Sequence, residues 1–473
     1  MNDSSIPLCL SLDGTLTSVR TADERLLIAA KHSAAAFIGS LAGFSRRAGS
    51  PPRLGHIDAQ VDIDTLPFRH DLLQWLRAQH SAGRRLVLIA DDDRAGAERI
   101  ASHLNLFDEI ASTEHYRGTA PERRRSALVA RFGEHGFDYA GSEAGDKIVW
   151  DAARRAIVVG DTGISKGIDH NTEVEITFPE SKASLRTWIR AIRLHQWAKN
   201  VLILVPALLA HVIFKPHVLL EGLLAFLAFG LCASSVYIVN DLFDLAADRQ
   251  HPRKRHRPFA AGLISARRGL RVALLLFIVA ACIAVSVGPR FVAVLAGYYA
   301  LTWAYSLRLK RLPLLDVMML AGLYTLRIIA GAAAMGIPLS FWLLAFSVFM
   351  FLSLGFVKRY AELNDALKAG KLLGHSRGYG ATDLPLIMSL GTASGYCAIV
   401  VMALYINSAD SQSLYQHHKP LWLICPLMLF WISRVWIVAS RGAMHDDPVI
   451  FALRDRVSLL ILVALGVIVL VSV

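Results

Sequence analysis

Apolar runs too long and too numerous for any water-soluble core fill this chain from about residue 198 onward. They cover 199–214, 217–239, 269–288, 291–306, 313–335, 338–357, 384–406, 419–440 and 457–473. Roughly 20 apolar residues in a helix cross about 30 Å of hydrocarbon, so the pattern predicts about nine transmembrane helices in a polytopic α-helical membrane protein. Residues before about 185 read differently, being charged, with scattered Gly and Pro. The 54% hydrophobic content of the 473 residues therefore averages two regimes.

Charge alternates between the loops. Arg249, Arg253, Lys254, Arg255, Arg257, Arg267 and Arg268 follow the second run, and Arg308, Lys310 and Arg311 the fourth. Lys358, Arg359, Lys368, Lys371 and Arg377 follow the sixth, and Arg441, Arg454 and Arg456 the eighth. The other loops offer little beyond Lys215, Arg290 and Lys419. Loops rich in Lys and Arg stay in the cytoplasm. This predicts a bacterial inner (plasma) membrane protein with a cytoplasmic N-terminal domain and an external C-terminus. Topology accounts for the net charge of +12, so no nucleic acid is expected as a partner. No apolar stretch follows a basic start, so a signal peptide is not expected either. Cys9, Cys232, Cys282, Cys397 and Cys425 form no C-x-x-C pair and read as buried free thiols.

In the first part, strands are expected at 6–12, 85–90, 137–140 and 156–159, with helices at 71–80 and 95–104 among those between them. Strands alternating with helices argue for an α/β, Rossmann-like domain with a mostly parallel sheet. The expected boundaries are 1–165 for this domain, 166–184 for a polar linker and 185–473 for the membrane domain. The last opens with an amphipathic segment at 185–194.

The chemistry concentrates at Asn240-Asp241-Leu242-Phe243-Asp244-Leu245-Ala246-Ala247-Asp248. Asp241, Asp244 and Asp248 are spaced three and four apart, so a continuous helix puts them on one face, with Asn240 beside Asp244. Three carboxylates crowded beside a membrane repel one another. Mg²⁺ neutralises such a set and favours carboxylate oxygens together with substrate phosphates. His251-Pro252-Arg253-Lys254-Arg255-His256-Arg257-Pro258 follows at once and suits the phosphate half of that ligand. The bland alternative for both is a solvated, topology-setting loop.

A second set is Tyr305, Lys310, Arg311, Asp316 and Arg327. Asp316 and Arg327 are 11 residues apart, on one helical stripe with Leu320 and Leu323. Ionisable residues inside apolar runs mark functional sites or pair with another span. Gly331 would allow close helix packing. Smaller groups repeat the theme: Arg193, Gln196, Trp197, Lys199 and Asn200; Lys358, Arg359 and Glu362; His445, Asp446, Asp447, Asp455 and Arg456.

Over about residues 185–473 these motifs resemble the UbiA superfamily of intramembrane transferases, whose first aspartate-rich motif reads N-D-x-x-D-x-x-x-D. Most members move a prenyl group from a prenyl diphosphate to an aromatic acceptor and carry a second motif with a D-x-x-x-D core. Here Leu320 stands four residues after Asp316. The segments Gln196-Trp197-Ala198-Lys199-Asn200, Ala247 to Pro258, Tyr305 to Lys310, Leu326 to Gly331, Asp446-Asp447-Pro448 and Asp455-Arg456 look instead like the decaprenyl-phosphate phosphoribosyltransferase branch. That branch implies transfer of a 5-phosphoribosyl group from phosphoribosyl pyrophosphate to a polyprenyl phosphate, in cell-envelope biosynthesis. The resemblance places Mg²⁺ on Asp241, Asp244 and Asp248, with Asn240 and Asp316 as further catalytic positions. It places substrate on Lys199, Lys254, Arg255, Arg257, Tyr305, Lys310, Arg327, Lys358 and Arg359. Lys310 and Arg327 are open to the lipid phosphate or the ribose 5-phosphate. Whether the chain forms a homo-oligomer is left open.

Over about residues 5–165 the chain resembles the haloacid dehalogenase superfamily. Ser11-Leu12-Asp13-Gly14-Thr15-Leu16 resembles its first motif, D-x-D-G-T-L, but serine replaces the nucleophilic, metal-binding aspartate. Ala90 stands where the second strand should end in Ser or Thr, Asp146 remains of the late acids, and Arg124 takes the place of the usual Lys. This predicts a non-catalytic domain. The competing readings for the whole chain are an aromatic prenyltransferase of the same fold, and a transporter or lipid-binding protein with a regulatory soluble domain.

Overall fold

A computed structural model describes residues 6–32, 61–160, 163, 168, 172–179, 183–368, 378–444 and 447–472. Lys371, Arg377, His445 and Asp446 lie outside the described residues. Compactness divides the chain into two units. One joins Met1–Ile192 with Tyr237–Ala273, and the other joins Arg193–Val236 with Leu274–Val473. The aspartate-rich segment thus groups with the N-terminal residues.

In the first unit the strands are β1 (Leu8–Ser11), β2 (Leu86–Ala90), β3 (Glu109–Ser112), β4 (Asp138–Gly141), β5 (Arg155–Gly160) and β6 (Glu173–Pro179). Their order is β3-β2-β1-β4-β5-β6, and every neighbouring pair is parallel. Leu8, Leu10, Leu86, Leu88, Ile157 and Val159 bury into one core. Cys9, Val87, Ile89, Tyr139, Ala156 and Val158 bury into another. Alternate residues thus serve opposite faces, which is why the strands read as unbroken apolar runs. Helix α1 (Thr21–His32) and the helix His70–Ser81 lie between β1 and β2, Arg94–Leu104 between β2 and β3, and Ala120–Phe132 between β3 and β4. The stretch 166–184, expected as a linker, carries β6. Glu173 and Glu175 alternate with Val174 and Ile176 there, the half-polar pattern of an edge strand, so composition alone reads it as linker. β3 is four residues long and carries no strong pattern.

Among the described residues, six helices are long and apolar enough to cross a membrane: Pro216–Phe243, Ala266–Val287, Leu315–Ala334, Phe341–Lys368, Ala381–Ile406 and Pro420–Ser440. A seventh is added if Pro448–Arg454 and Arg456–Ser472, bent by 78°, count as one span. Two of the nine expected runs meet neither description, each for a local reason. Run 199–214 becomes a 3-10 helix, Leu194–Leu204, and a five-residue helix, Val205–Leu209. Run 291–306 forms Pro289–Leu307, 19 residues interrupted by Tyr298, Tyr299 and Thr302.

In the second unit, Val317, Ala321, Leu354, Val357, Ile432, Val435 and Trp436 form the core of a helical bundle. Large apolar side chains also cover the outside, with Leu460 70% and Leu470 76% exposed. Apolar surface of this kind suits lipid. Gly331 has the packing role its position suggests. A Cβ there would lie 1.8 Å from the Ile203 carbonyl oxygen, so the helix Leu315–Ala334 seats its backbone directly on the Leu194–Leu204 segment. Gly331→Ala is expected to destabilise the detergent-solubilised protein by about 1–3 kcal/mol. Gly322→Ala, on the same helix with nothing within 4 Å, should leave the thermal midpoint in place.

Candidate active site

The helix Pro216–Phe243 carries Asn240 and Asp241 in its last turn. At Asp244 the backbone leaves helical geometry (φ −101°, ψ 13°), and a second helix, Leu245–Gln250, begins. Asp244 thus occupies a helix-start position, where Asp is favoured. The single face expected for three carboxylates is broken at this point. The break nevertheless brings two of them together. Asp241 and Asp248 are both buried, and one nitrogen serves both: Arg257 Nη1 donates to Asp241 Oδ1 at 3.1 Å and to Asp248 Oδ2 at 2.6 Å. Asn240 and Asp244 are half-buried nearby in sequence, and Lys254 and Arg255 are exposed on the 3-10 turn Lys254–His256.

Two carboxylates converging on one cationic nitrogen are a donor set that a hard divalent cation also takes. Among the described residues, no three His, Cys, Asp or Glu side chains gather closely enough to hold a metal unaided. The residues therefore fit a cation that arrives with phosphate oxygens as further ligands, the usual state of protein-bound Mg²⁺.

The second unit sorts the remaining expected residues into two groups. In the first, Lys199 Nζ lies 2.7 Å and Lys358 Nζ 3.2 Å from Asp447 Oδ2, and the Tyr324 hydroxyl donates to Oδ1 at 2.9 Å. Arg327 stands beside Tyr324. Its Nε donates to Asn200 Oδ1 at 3.1 Å, Nη1 to the Leu323 carbonyl at 2.6 Å and Nη2 to the Tyr298 hydroxyl at 3.2 Å. Its guanidinium also lies 5.2–5.6 Å from the ring centroids of Tyr298, Tyr324 and Phe229. These rings favour a cation electrostatically where water cannot reach it. Asn200 Nδ2 is buried without a partner, an orphan donor of the kind an acceptor ligand satisfies.

The second group surrounds Asp316, which is fully buried. It accepts from Arg359 Nε, and from the Tyr379 hydroxyl at 2.7 Å. Arg359 also donates to Glu362 and, at 3.0 Å, to the Tyr305 hydroxyl. Asp316 and Arg327 share a helix and take different partners, so the set read as one cluster is two. Lys310 is half-buried on the turn Leu309–Arg311. Tyr298, Tyr324 and Tyr379 escaped the sequence reading, because a tyrosine in or beside an apolar run reads as packing. Their only signal was a hydroxyl that must find a partner when buried.

The N-terminal sheet reverses its strand order between β1 and β4, and ligands of such sheets bind beyond the strand ends at that point. Here the crevice is filled from within. Arg124, buried, donates to Asp91 at 2.5–3.0 Å and to Asp146 at 2.7 Å. Asp146 also accepts from Tyr139 OH and from the Ser142 and Glu143 amides. Ser11 Oγ is 2.7 Å from Thr15 Oγ1. Asp13 accepts from both the amide and the hydroxyl of Thr21 at 2.9 Å, fastening the start of α1.

Burial raises the Asp13 carboxyl from 3.8 to about 6, against the lowering effect of the Thr21 bonds. A carboxyl that titrates higher in the folded state binds more protons there, so its contribution to stability falls as pH rises from about 4 to about 6. The expected loss is up to about 3 kcal/mol. Hydrogen exchange of the β1 amides should show this slope, and Asp13→Asn should flatten it.

Comparison with known proteins agrees with the membrane half of this description. The sequence model of the UbiA prenyltransferase family matches residues 201–470. The chain is 38% identical to uncharacterized protein y4nM of Sinorhizobium fredii, over 96% of this chain and 89% of that protein. It is 36% identical to nodulation protein NoeC of Azorhizobium caulinodans, over 60% and 93%. With decaprenyl-phosphate phosphoribosyltransferase of Mycobacterium tuberculosis it shares 34% identity, over 58% and 90%. A solved UbiA homolog from Archaeoglobus fulgidus, bound to GPP and Mg²⁺, aligns over 60% of this chain and 99% of its own, at 17% identity and a TM-score of 0.47. With a match spanning more than half its length, the chain belongs to the UbiA prenyltransferase family and is a membrane-embedded transferase.

Proposed function

We propose that this chain moves a 5-phosphoribosyl group from phosphoribosyl pyrophosphate to a polyprenyl phosphate, releasing pyrophosphate in a Mg²⁺-dependent reaction. The observation that carries the reading is the commitment of Asp316. A second acidic motif would be needed to grip a prenyl diphosphate through further metal. Asp316 is instead paired with Arg359 and accepts from the Tyr379 hydroxyl, with Leu320 where the motif's next carboxylate would stand. Among the described residues, the cluster around Asp241 and Asp248 then remains for the donor's pyrophosphate. The 34% identity to a protein named decaprenyl-phosphate phosphoribosyltransferase supports the same reading.

In this reading Asp241, Asp244 and Asp248 would hold the metal, with Asn240 beside them. Mg²⁺, when bound, offsets the charge that grows on the departing pyrophosphate. Arg257 moves from the two carboxylates to phosphate oxygens, assisted by Lys254 and Arg255. An oxygen of the polyprenyl phosphate attacks the anomeric carbon, the bond from that carbon to pyrophosphate breaks, and pyrophosphate leaves with the electron pair. The nucleophile is already an anion, so no general base is needed. Lys199, Lys358, Arg327 and the unpaired Asn200 amide suit a phosphate. Lys310 and Tyr305 stand as further binding positions, and the basic loops support a cytoplasmic N-terminal domain.

Membranes bearing the protein, given labelled phosphoribosyl pyrophosphate and polyprenyl phosphate, should yield labelled lipid, and chelation should stop it. Asp241→Asn and Asp248→Asn should each lower that rate roughly 100-fold or more. Turnover of a prenyl diphosphate with no labelled lipid would replace this reading by aromatic prenyl transfer. Full activity of Asp241→Asn would favour a transporter or lipid-binding protein. The Asp316 argument has its own check in thermal unfolding. Arg359→Met, which strands a buried carboxylate, should cost about 3–5 kcal/mol, and adding Asp316→Leu should recover most of it.

A further inference from the structure

The soluble domain lacks the nucleophile its first motif calls for, and its crevice is filled by Arg124, yet it is tied to the aspartate-rich segment by a set of buried contacts. The chain of contacts starts at the surviving Asp13, which fixes Thr21 at the start of α1. The first turn of α1 carries Asp23 and Glu24, both buried. Glu24 accepts from Arg249 through both oxygens, at 2.6 and 2.9 Å. Arg249 directly follows Asp248, and its Nε donates to the Ala260 carbonyl at 3.1 Å. Asp23 accepts from Arg267 Nε through both oxygens, at 2.9 and 3.0 Å. Between these anchors the chain carries Arg257. Gly262, in a left-handed conformation (φ +71°), lies so close to Ser18 that a Cβ would stand 2.1 Å from its hydroxyl.

Forked, two-oxygen pairs of this kind fix orientation as well as distance. Buried carboxylates with no catalytic partner are retained for what they hold. We propose that the N-terminal domain is a positioning element for the transferase: Glu24 and Asp23 clamp Arg249 and Arg267, and so hold Asp248 and the Arg257 loop where the metal–pyrophosphate ligand is taken. This rests on the proposed function for the identity of that ligand. Glu24, Asp23 and Arg249 are positioning residues and touch no substrate. Ser11 is then accounted for as well, since a domain used as a clamp needs the motif's backbone turn and Asp13 and has no use for its nucleophile.

The test uses the full chain in detergent or nanodiscs, with Glu24→Gln, Arg249→Met, and the apolar double variant Glu24→Met/Arg249→Met. The double variant removes the clamp without leaving a stranded charge, so it keeps the fold. The Mg²⁺ concentration for half-maximal labelling of lipid should rise roughly ten-fold or more in all three, the scale on which groups behind metal ligands act. Hydrogen exchange over residues 244–262 should quicken in all three, while exchange in β1 and β2 stays unchanged. Normal Mg²⁺ dependence and unchanged exchange in the double variant would overturn the proposal, as would a double variant that restores both after Glu24→Gln has lost them. Hydrogen exchange needs no turnover. If the unsubstituted chain labels no lipid, the proposed reaction fails, and exchange over 244–262 with and without Mg²⁺ still decides whether the clamp orders the segment.

Discussion

A charge withdrawn from water needs its opposite within reach, because a stranded buried ion costs several kcal/mol. That constraint orders both units of this protein. Arg257 serves Asp241 and Asp248, Arg359 serves Asp316, Lys199 and Lys358 share Asp447, and Arg124 joins Asp91 to Asp146. The sets differ in what they leave over. Arg124 and Arg359 are enclosed by acceptors and hydroxyls and have the character of scaffolding. At Arg257 the balance is open to exchange, since one guanidinium nitrogen is doing for two carboxylates what a doubly charged cation does better. Beside Arg327 the buried Asn200 amide nitrogen lacks an acceptor, which an anionic oxygen supplies.

Much of this was legible in the residues. The two hydropathy regimes separate the α/β and membrane parts, and the alternation of strands with helices points to the parallel sheet. The three aspartates with the basic run behind them gave the acidic centre. Three things stayed hidden, each for a physical reason. The edge strand Glu173–Pro179 is half polar, and polarity is also what a linker looks like. The shapes of two apolar runs were also hidden, since one packs as a 3-10 segment and the last as part of a bent pair rather than as straight rods. Pairing across distance was the third: periodicity places Asp316 and Arg327 on one stripe, but nothing local says that Arg359 and Asn200 come to meet them.

The same limit hid the role of Asp23 and Glu24. Two acids in the first turn of a helix are what the helix dipole favours anyway, so alone they ask for no explanation. Only their partners, more than 220 residues away in sequence, give them one. The segment Ser11–Leu16 bears on the same point. Ser11 offers no carboxylate and bonds Thr15, while Asp13 is spent on the start of α1.

The interruption at Asp244 has a mechanical consequence. Asp241 ends a 28-residue helix, whereas Asp248 rides on a separate six-residue piece. A ligand that draws both carboxylates to itself fastens a joint. Linkage makes the exchange symmetrical: whatever stiffens the joint tightens the ligand, and the ligand stiffens the joint by the same factor. An unbroken helix would register occupancy only at its own surface. A jointed one turns occupancy into rigidity, and rigidity is a signal that other parts of a chain can feel.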